Sequence, residues 1–209
     1  MRCLFGMEGG HEMDSKDFAK LVAGSRTYRR FDESRRVTVE QLRQLVSIAR
    51  LAPTANNTQL LRFHLSVDPD QIKRILTHHR WAAILSNWDG PELGARPTAY
   101  ITICGPTSAA QTPIRNLDAG IAAQTIMLAA RTMGLGGCII KSFDADLATC
   151  LGLTDKSLAP LILLALGVPA ADEKVVLEEA DDEHGVHYWR DMDSNTQHVP
   201  KLSVDELLV

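Results

Sequence analysis

The sequence lacks the features that mark membrane, secreted and nucleic-acid-binding proteins. Its longest apolar run, residues 161–166, is far shorter than the roughly 18 residues that a membrane-spanning helix requires. Residues 1–13 contain charged side chains and no apolar stretch of the kind found in signal peptides. Asp and Glu number 26 against 22 Lys and Arg, which argues against nucleic acid as the main partner. We therefore expect a soluble, cytoplasmic protein.

Motifs for several kinds of chemistry are also missing. The four cysteines form no Cys-x-x-Cys pair and the seven histidines no His-x-x-x-His pair, so we expect neither a zinc ribbon nor any other bound metal. Gly-x-Ser-x-Gly and P-loop motifs are absent from the sequence, and the glycines at 134–137 lack the Rossmann spacing. Cys104 and Cys138 each end an apolar run, so we expect both to be buried.

The hydrophobic pattern alternates between helix and strand periods, which predicts a mixed α/β layer fold. The predicted helices cover residues 15–24, 38–52, a segment starting at Asp68-Pro69, a buried helix at 117–133, and 144–151. The predicted strands cover residues 62–67, 98–104, 136–140 and 161–167. Residues 87–97 are predicted as a loop, and the acidic tail from Asp172 is predicted to be mostly irregular until Ser203.

A basic stretch lies between the first two helices. Residues 25–31 read SRTYRRF, with Arg26, Arg29 and Arg30 close to the hydroxyl of Thr27. Guanidinium groups bind phosphate with two parallel hydrogen bonds, and a hydroxyl adds a neutral donor. The stretch is therefore a candidate phosphate site, and the alternative is a solvated basic turn.

A second candidate is an uncharged polar segment after the second helix. Residues 52–59 read APTANNTQ and offer hydrogen-bond donors and acceptors without charge. Such groups suit the hydroxyls and ring heteroatoms of a polar cofactor. The alternative is an ordinary loop at a helix exit.

These motifs together resemble the nitroreductase family of FMN-dependent flavoproteins. Residues 25–31 are similar to its Arg-Arg-Ser-x-Arg-x-Phe opening, and residues 52–63 to its Ala-Pro-Ser-x-x-Asn-x-Gln-Pro-Trp-x-Phe signature. Residues 118–124 followed by 134–136 match its central helix and exit, in the same order, and the tail resembles a short-chain branch. The resemblance implies an α+β fold with a central, mostly antiparallel sheet flanked by helices. It divides the chain into an N-terminal extension (1–13), a flavin domain (14–171) and a C-terminal arm (172–209).

The resemblance implies that hydride passes from NAD(P)H through FMN to an electron-poor acceptor, such as a nitroaromatic or a quinone, by a ping-pong mechanism. Because the flavin does the chemistry, no catalytic side chain is expected. The alternatives are a flavin-binding sensor or interaction module with little turnover, and a flavin enzyme of the same fold that carries out dehalogenation or ring fragmentation.

The resemblance also assigns site residues. Arg26, Thr27 and Arg29 would hold the phosphate and ribityl groups, and Lys201 of the tail would approach a phosphate. The remaining cofactor-binding residues that it implies are Pro53, Thr54, Ala55, Asn57 and Gln59 from the partner subunit, Gly136 and Gly137 at close backbone approach, and Lys141 and Ser142 with backbone N–H groups at the flavin N5.

Some positions depart from the family pattern, and these bear on substrate range. Ser25 stands where an arginine is common, Leu60 and Leu61 replace Pro-Trp, and Leu202 replaces a basic residue. The apolar end of the tail predicts a docked arm, which in the resembling family crosses to the partner of a homodimer with FMN between the subunits. The alternative is an arm that docks on its own subunit.

Overall fold

Four antiparallel strands form the central sheet of the protein. A computed structural model describes residues 13–82, 84–85, 88–108, 112–182 and 185–209. The strands are β1 (Arg62–Ser66), β2 (Ala99–Pro106), β3 (Gly136–Ile140) and β4 (Leu158–Gly167), and their order in the sheet is β1-β2-β4-β3. The predicted α+β fold with an antiparallel central sheet is confirmed. Residues 1–12 of the predicted extension, and Asn87 of the predicted loop, lie outside the described residues.

Helices cover both faces of this sheet. They are α1 (Ser15–Gly24), α2 (Val39–Ala49), α3 (Pro69–Leu76), α4 (Pro113–Thr132), α5 (Leu147–Cys150) and, near the C-terminus, α6 (Val204–Leu207). The capping box predicted for α2 is present: the Thr38 hydroxyl accepts from the Gln41 N–H, and the Gln41 side chain accepts from the Thr38 N–H. None of the helices in the described ranges is long and apolar enough to cross a membrane.

Alternate residues of the central strands face two separate hydrophobic clusters. Ile101 and Ile103 of β2 pack with α2 and α4, whereas Tyr100 and Cys104 pack with α3 and α5. Successive side chains of a strand point to opposite faces, so a sheet covered on both sides must be apolar throughout. This explains why β2 and the second half of β4 are buried at nearly every position.

The longest helix, α4, begins four residues before its predicted start at residue 117. Pro113 occupies the first turn, where its missing N–H would in any case have no partner within the helix. The helix packs on the sheet mainly through small side chains, which allow a close approach. Its fully or nearly buried apolar residues are Ala119, Ala122, Ala123, Ile126, Met127, Ala129 and Ala130. The prediction of a buried helix is confirmed.

Strand β4 is longer than predicted because it starts at Leu158 and continues through Pro160. Proline has no N–H for strand pairing. The β2–β4 register shifts between Ile103 and Cys104, which face this stretch, and β3 pairs only with Leu163–Gly167. Pro160 therefore lies in the part of β4 that pairs with β2 alone rather than with both β2 and β3.

The tail forms a second sheet, so the prediction that it is mostly irregular is wrong. Its strands are β5 (Lys174–Glu179), β6 (Trp189–Asp191) and β7 (Thr196–Lys201). β7 lies in the middle, parallel to β5 and antiparallel to β6. The tail lacks the apolar alternation that usually reveals strands, because buried polar side chains take part in holding it.

Charged side chains dock this tail sheet on its own chain. Arg190 donates two hydrogen bonds to Glu173 (3.1 and 2.7 Å), and the side chains are only 3% and 1% exposed. Arg30 binds Asp172 at 2.9 Å and Glu92 at 2.6 Å. These carboxylates raise the pKa of Arg30 above its ordinary value, with the hydrogen bond to Glu92 contributing most.

Candidate functional site

The arginine loop, residues 25–31, lies along the free edge of the central sheet. Thr27 forms a parallel bridge with Gly137, and the Tyr28 N–H donates to the Gly137 carbonyl at 2.9 Å. The Ser25 hydroxyl donates to the Met127 carbonyl of α4 at 3.2 Å. The loop is therefore fixed by the backbone of β3 and by the Ser25 side chain on α4, and the side chains of Arg26, Thr27 and Arg29 are its candidates for binding a ligand.

Two arginines of this loop have unsatisfied donors. Arg26 donates from Nη2 to the Val22 carbonyl at 2.7 Å, and the Arg29 guanidinium lies 5.0 Å from the ring centre of Tyr188. Within the described part of the chain, Nε of Arg26 and Nε of Arg29 are buried without hydrogen-bond partners. Buried N–H groups normally find an acceptor, so the loop fits an anionic ligand.

Arg29 also lies near the thiol of Cys138. Burial raises the pKa of this thiol, and the nearby Arg29 partly offsets the effect. Burial likewise raises the pKa of Cys104 to about 12. Both cysteines are buried as predicted, and both are protonated at neutral pH.

Arg30, the third arginine of the basic stretch, serves a different purpose. Its ion pair with Asp172 attaches the tail to the loop, and its ion pair with Glu92 joins the loop to residues 88–97. Both hydrogen-bonded pairs hold the pKa of these carboxyls below the usual range. The alternative of a solvated basic turn thus describes none of the three arginines, since all three are partly buried.

Packing within the chain already explains the glycines at 136 and 137. A Cβ at Gly136 would collide with the ring of Tyr28, and a Cβ at Gly137 would collide with the Ala165 carbonyl. Glycine is therefore needed for the loop and β4 to approach β3. The close approach of a cofactor to these two residues stays a prediction.

The polar segment, residues 53–59, has an unusual backbone. Asn56, Asn57 and Gln59 have φ values of 51°, 51° and 49°. They are three of the five non-glycine residues with positive φ in the described chain. Residues other than glycine rarely adopt this backbone conformation, and it persists only where the surroundings impose it. The segment is therefore a constrained structure, which the alternative of an ordinary helix-exit loop does not explain.

A groove of about 200 Å³ opens beside this segment. Pro53, Thr54 and Gln59 line it on one side, and Asp118 and Ala122 of α4 line its base. Asn57 and Gln59 are exposed, whereas Ala55 is half-buried, with its N–H donating to Asp118 at 2.9 Å. The groove is thus lined by polar and apolar groups together, as cofactor sites commonly are.

Lys141 and Ser142 follow the last paired residue of β3. Lys141 donates from Nζ to the Leu161 carbonyl at 2.7 Å and to Asn116 Oδ1 at 3.3 Å. The Ser142 carbonyl accepts from the Arg80 N–H at 2.9 Å. These contacts place Lys141 close to the first turn of α4 and Ser142 beside Arg80.

Lys201 lies at the end of β7, in register with Glu179, and it is exposed. Its carbonyl accepts from the Ala180 N–H at 2.9 Å. No hydrogen bond among the described residues joins it to Arg26 or Arg29, so the structure of one chain leaves its predicted phosphate contact untested.

Helix α4 separates the site residues into two groups. The arginine loop is attached near Met127, together with Gly136 and Gly137, whereas the polar segment is attached at Asp118. Nine helical residues separate these two attachment points, which corresponds to roughly 14 Å along the axis. One chain therefore presents two groups of candidate site residues at different positions along α4.

Sequence reasoning missed the pair that holds the polar segment. Arg115 and Asp118 are buried and joined by a 2.6 Å hydrogen bond. An arginine and an aspartate three residues apart in an otherwise apolar helix were the available signal, because charges are rarely buried unless paired.

The fold and site define an α+β protein whose basic loop lies along the free edge of its sheet. The sequence profile of the nitroreductase family matches residues 22–168, well over half of the chain. The chain belongs to the nitroreductase family.

Solved structures support this assignment at the level of the fold. A nitroreductase family protein from Streptococcus pneumoniae TIGR4 has 17% identity and a TM-score of 0.65, with 92% of this chain and 98% of that chain covered. A protein from Exiguobacterium sibiricum 255-15, solved in complex with FMN, has 19% identity and a TM-score of 0.61 over 77% and 91% of the two chains. A protein from Staphylococcus epidermidis ATCC 12228, named as an NAD(P)H:FMN oxidoreductase, has 18% identity and a TM-score of 0.61 over 80% and 92%.

Proposed function

We propose that the protein is a cytoplasmic FMN-dependent oxidoreductase that uses NAD(P)H to reduce an electron-poor acceptor. The observation that carries the proposal is the arginine loop, where two buried guanidinium Nε atoms lack partners in the described chain beside a backbone fixed to β3. FMN is a phosphate monoester, so its anionic end matches these donors. The names of the FMN-bound and NAD(P)H:FMN neighbours add support for the cofactor and the donor.

When bound, FMN supplies hydride transfer, and the residues of this chain bind and orient it. Arg26, Thr27 and Arg29 hold the phosphate and ribityl groups. The backbone N–H groups of Lys141 and Ser142 would lie at the flavin N5 and would stabilise charge on the reduced ring. Donor and acceptor use the same cleft in turn, which is the basis of a ping-pong mechanism.

The polar segment completes the site from a partner subunit in this proposal. The roughly 14 Å between the two attachment points on α4 supports a site shared between chains. Exposed apolar side chains near the polar segment also support a contact face: Leu51, Ile114 and Leu117 are 46%, 43% and 58% exposed. In such a homodimer, residues 172–209 form the arm, and Lys201 reaches the flavin phosphate of the partner.

The test of the cofactor is direct. Purified protein reconstituted with FMN should show the visible absorption of oxidised flavin, and anaerobic NADH or NADPH should bleach it. Oxidation of the donor by a panel of nitroaromatics and quinones would then identify the acceptor class. Flavin that stays oxidised with either donor would instead favour the sensor or interaction module.

The test of the shared site is complementation. Arg26→Ala damages the arginine loop and Asp118→Ala the polar segment, so each variant alone should bind FMN poorly. If each site takes its halves from different chains, a mixed dimer contains one doubly damaged site and one intact site. Co-folding of the two variants should therefore restore FMN binding to some of the sites, whereas no recovery would contradict a shared site.

A further inference from the structure

We propose that the buried Arg115–Asp118 pair is a positioning device for the polar segment and thereby sets flavin affinity. This inference rests on the proposed function for its ligand, but its structural part is independent of it. The pair touches the segment at two points, Ala55 and Thr58, that bracket the left-handed residues Asn56 and Asn57 and immediately precede the third, Gln59.

Each member of the pair divides its hydrogen bonds between the other member and the segment. Asp118 accepts from the Ala55 N–H through Oδ1 (2.9 Å) and from Arg115 through Oδ2 (2.6 Å). Arg115 donates from the same Nη1 to the Thr58 hydroxyl at 3.2 Å. The segment is thus connected to α4 by a closed network of side-chain hydrogen bonds.

Burial makes this network rigid. The side chains of Arg115 and Asp118 are 6% and 2% exposed, so neither charge can exchange its partner for water at little cost. By contrast, the Asn57 and Gln59 side chains that the segment presents are exposed. A fixed base below exposed polar groups is the arrangement that pre-organises a binding site.

The strained backbone explains why such a base is needed. Left-handed φ at asparagine is uncommon, and at glutamine it is rarer still, so the segment would relax if it were released. The main-chain bonds of its short turn, Asn57 N–H to the Thr54 carbonyl and Thr58 N–H to the Ala55 carbonyl, lie within the segment itself. They shape the turn but do not attach it to the rest of the fold, whereas Asp118 and Arg115 do.

The experiment compares Asp118→Asn and Arg115→Met with the wild type. Asparagine keeps an oxygen for the Ala55 N–H but loses the charge, and methionine keeps the length but loses the donors. Amide hydrogen exchange of the flavin-free proteins should be at least tenfold faster in residues 55–59 of both variants, and this added exchange should be insensitive to low urea, because it arises from local opening rather than from unfolding of the whole chain. Arg115→Lys, which keeps the charge and a donor, should recover part of the protection.

Glu173→Gln provides the matched control, since Glu173 belongs to another buried pair with arginine. It should leave exchange in residues 55–59 at the wild-type rate. Unchanged exchange in this segment for Asp118→Asn and Arg115→Met would overturn the inference. Added exchange in this segment that rises with urea as steeply as exchange in β2 and β4 would also overturn it, because the pair would then be only a general stabiliser.

Flavin titrations test the positioning role of the Arg115–Asp118 pair separately from the proposed function. Because the polar segment is assigned to the uncharged parts of the cofactor, both variants should weaken FMN and riboflavin by the same factor, about tenfold. Arg26→Ala should weaken FMN alone. Wild-type protein that binds neither flavin would refute the proposed function, while the exchange data would still decide whether the pair positions the segment. Accelerated exchange with unchanged affinity for both flavins would overturn the link to binding.

Discussion

The central sheet and the tail sheet bury different kinds of side chain. The central strands are covered on both faces by apolar side chains, such as Leu164 on one face and Leu163 on the other. The tail sheet is held together by the Glu173–Arg190 pair, and its middle strand carries the buried side chains of Thr196 and Gln197. The comparison teaches that stability of the first region depends on volume, whereas stability of the second depends on charge.

The largest expected effect is the loss of charge from the tail. Glu173→Ala leaves Arg190 buried without its carboxylate, which should lower the free energy of unfolding by about 3–5 kcal/mol. Urea unfolding followed by tryptophan fluorescence measures the change, and Trp189 reports on the tail. Glu92→Ala is the control, because this partner of Arg30 is 55% exposed and should cost less than about 1 kcal/mol. Equal losses for both variants would remove the distinction between buried and exposed pairs.

The arginine loop contacts both sheets. A variant of this loop tests whether flavin binding can be weakened without a change in the stability of the protein. Arg26→Ala should raise the FMN dissociation constant about 10- to 100-fold, since a charge-assisted bond contributes roughly 1.5–3 kcal/mol. The melting temperature of the flavin-free protein should change little. Arg35→Ala, an exposed arginine beyond the loop, is the control for net charge. Wild-type affinity in the double variant Arg26→Ala/Arg29→Ala would contradict the phosphate assignment.

In the central region, a larger side chain should lower the stability more than the loss of a charge does. Ala122 is 3% exposed where α4 packs against the sheet, so Ala122→Leu should overpack this contact and cost about 1–3 kcal/mol. Thermal melting measures the effect, and Gly120→Ala, at a position where a Cβ meets nothing within 4 Å, is the control. A melting temperature unchanged by Ala122→Leu would argue against tight packing of α4.

Acid should affect the central region through two histidines, the half-buried His64 on β1 and above all the buried His79. His79 is buried, with Nε2 2.9 Å from the Tyr100 hydroxyl, and burial lowers its pKa from 6.5 to about 4. The unfolded chain therefore binds this proton more readily, so stability falls as the pH drops from about 6.5 towards 4. From pH 7 to pH 5 the loss should be about 2 kcal/mol.

His79→Gln keeps a hydrogen-bonding side chain but removes the titration. Its stability should fall less steeply between pH 7 and pH 5 than that of the wild type, as measured by urea unfolding at each pH. The carboxyls of Glu92 and Asp172 have pKa values below their usual range, so the tail contacts should keep their charge in this window. Identical pH profiles would show that another group is responsible.

Sequence reasoning succeeded where local chemistry decides the structure. The Thr38–Gln41 capping box and the Asp68-Pro69 helix start are short-range signals, and both form as predicted. The apolar strands were also recognised, since a sheet covered on both faces requires continuous hydrophobic residues. The arginine loop and the polar segment were identified as candidate sites by composition and resemblance.

The errors arose where long-range polar contacts decide the structure. The tail strands were missed because Glu173 and Arg190, 17 residues apart, hold them rather than an alternating apolar pattern. The role of Asp118 was missed because its partner in the polar segment, the Ala55 N–H, is 63 residues away. Spacing along the chain cannot reveal such pairings unless the fold is already known. A separate, smaller error concerns helix α5, which is shorter than predicted and covers only Leu147–Cys150.

The position of β4 in the sheet has a consequence for how the chain folds during synthesis. β4 is the last of the four strands to be made, yet it lies between β2 and β3 and pairs with both. A nascent chain emerges N-terminus first, so β3 has no strand partner until residues 158–167 have left the ribosome. Until then the apolar faces of β2 and α4 remain open, and a chain stalled at residue 157 is a substrate for chaperones or proteases rather than a half-folded enzyme.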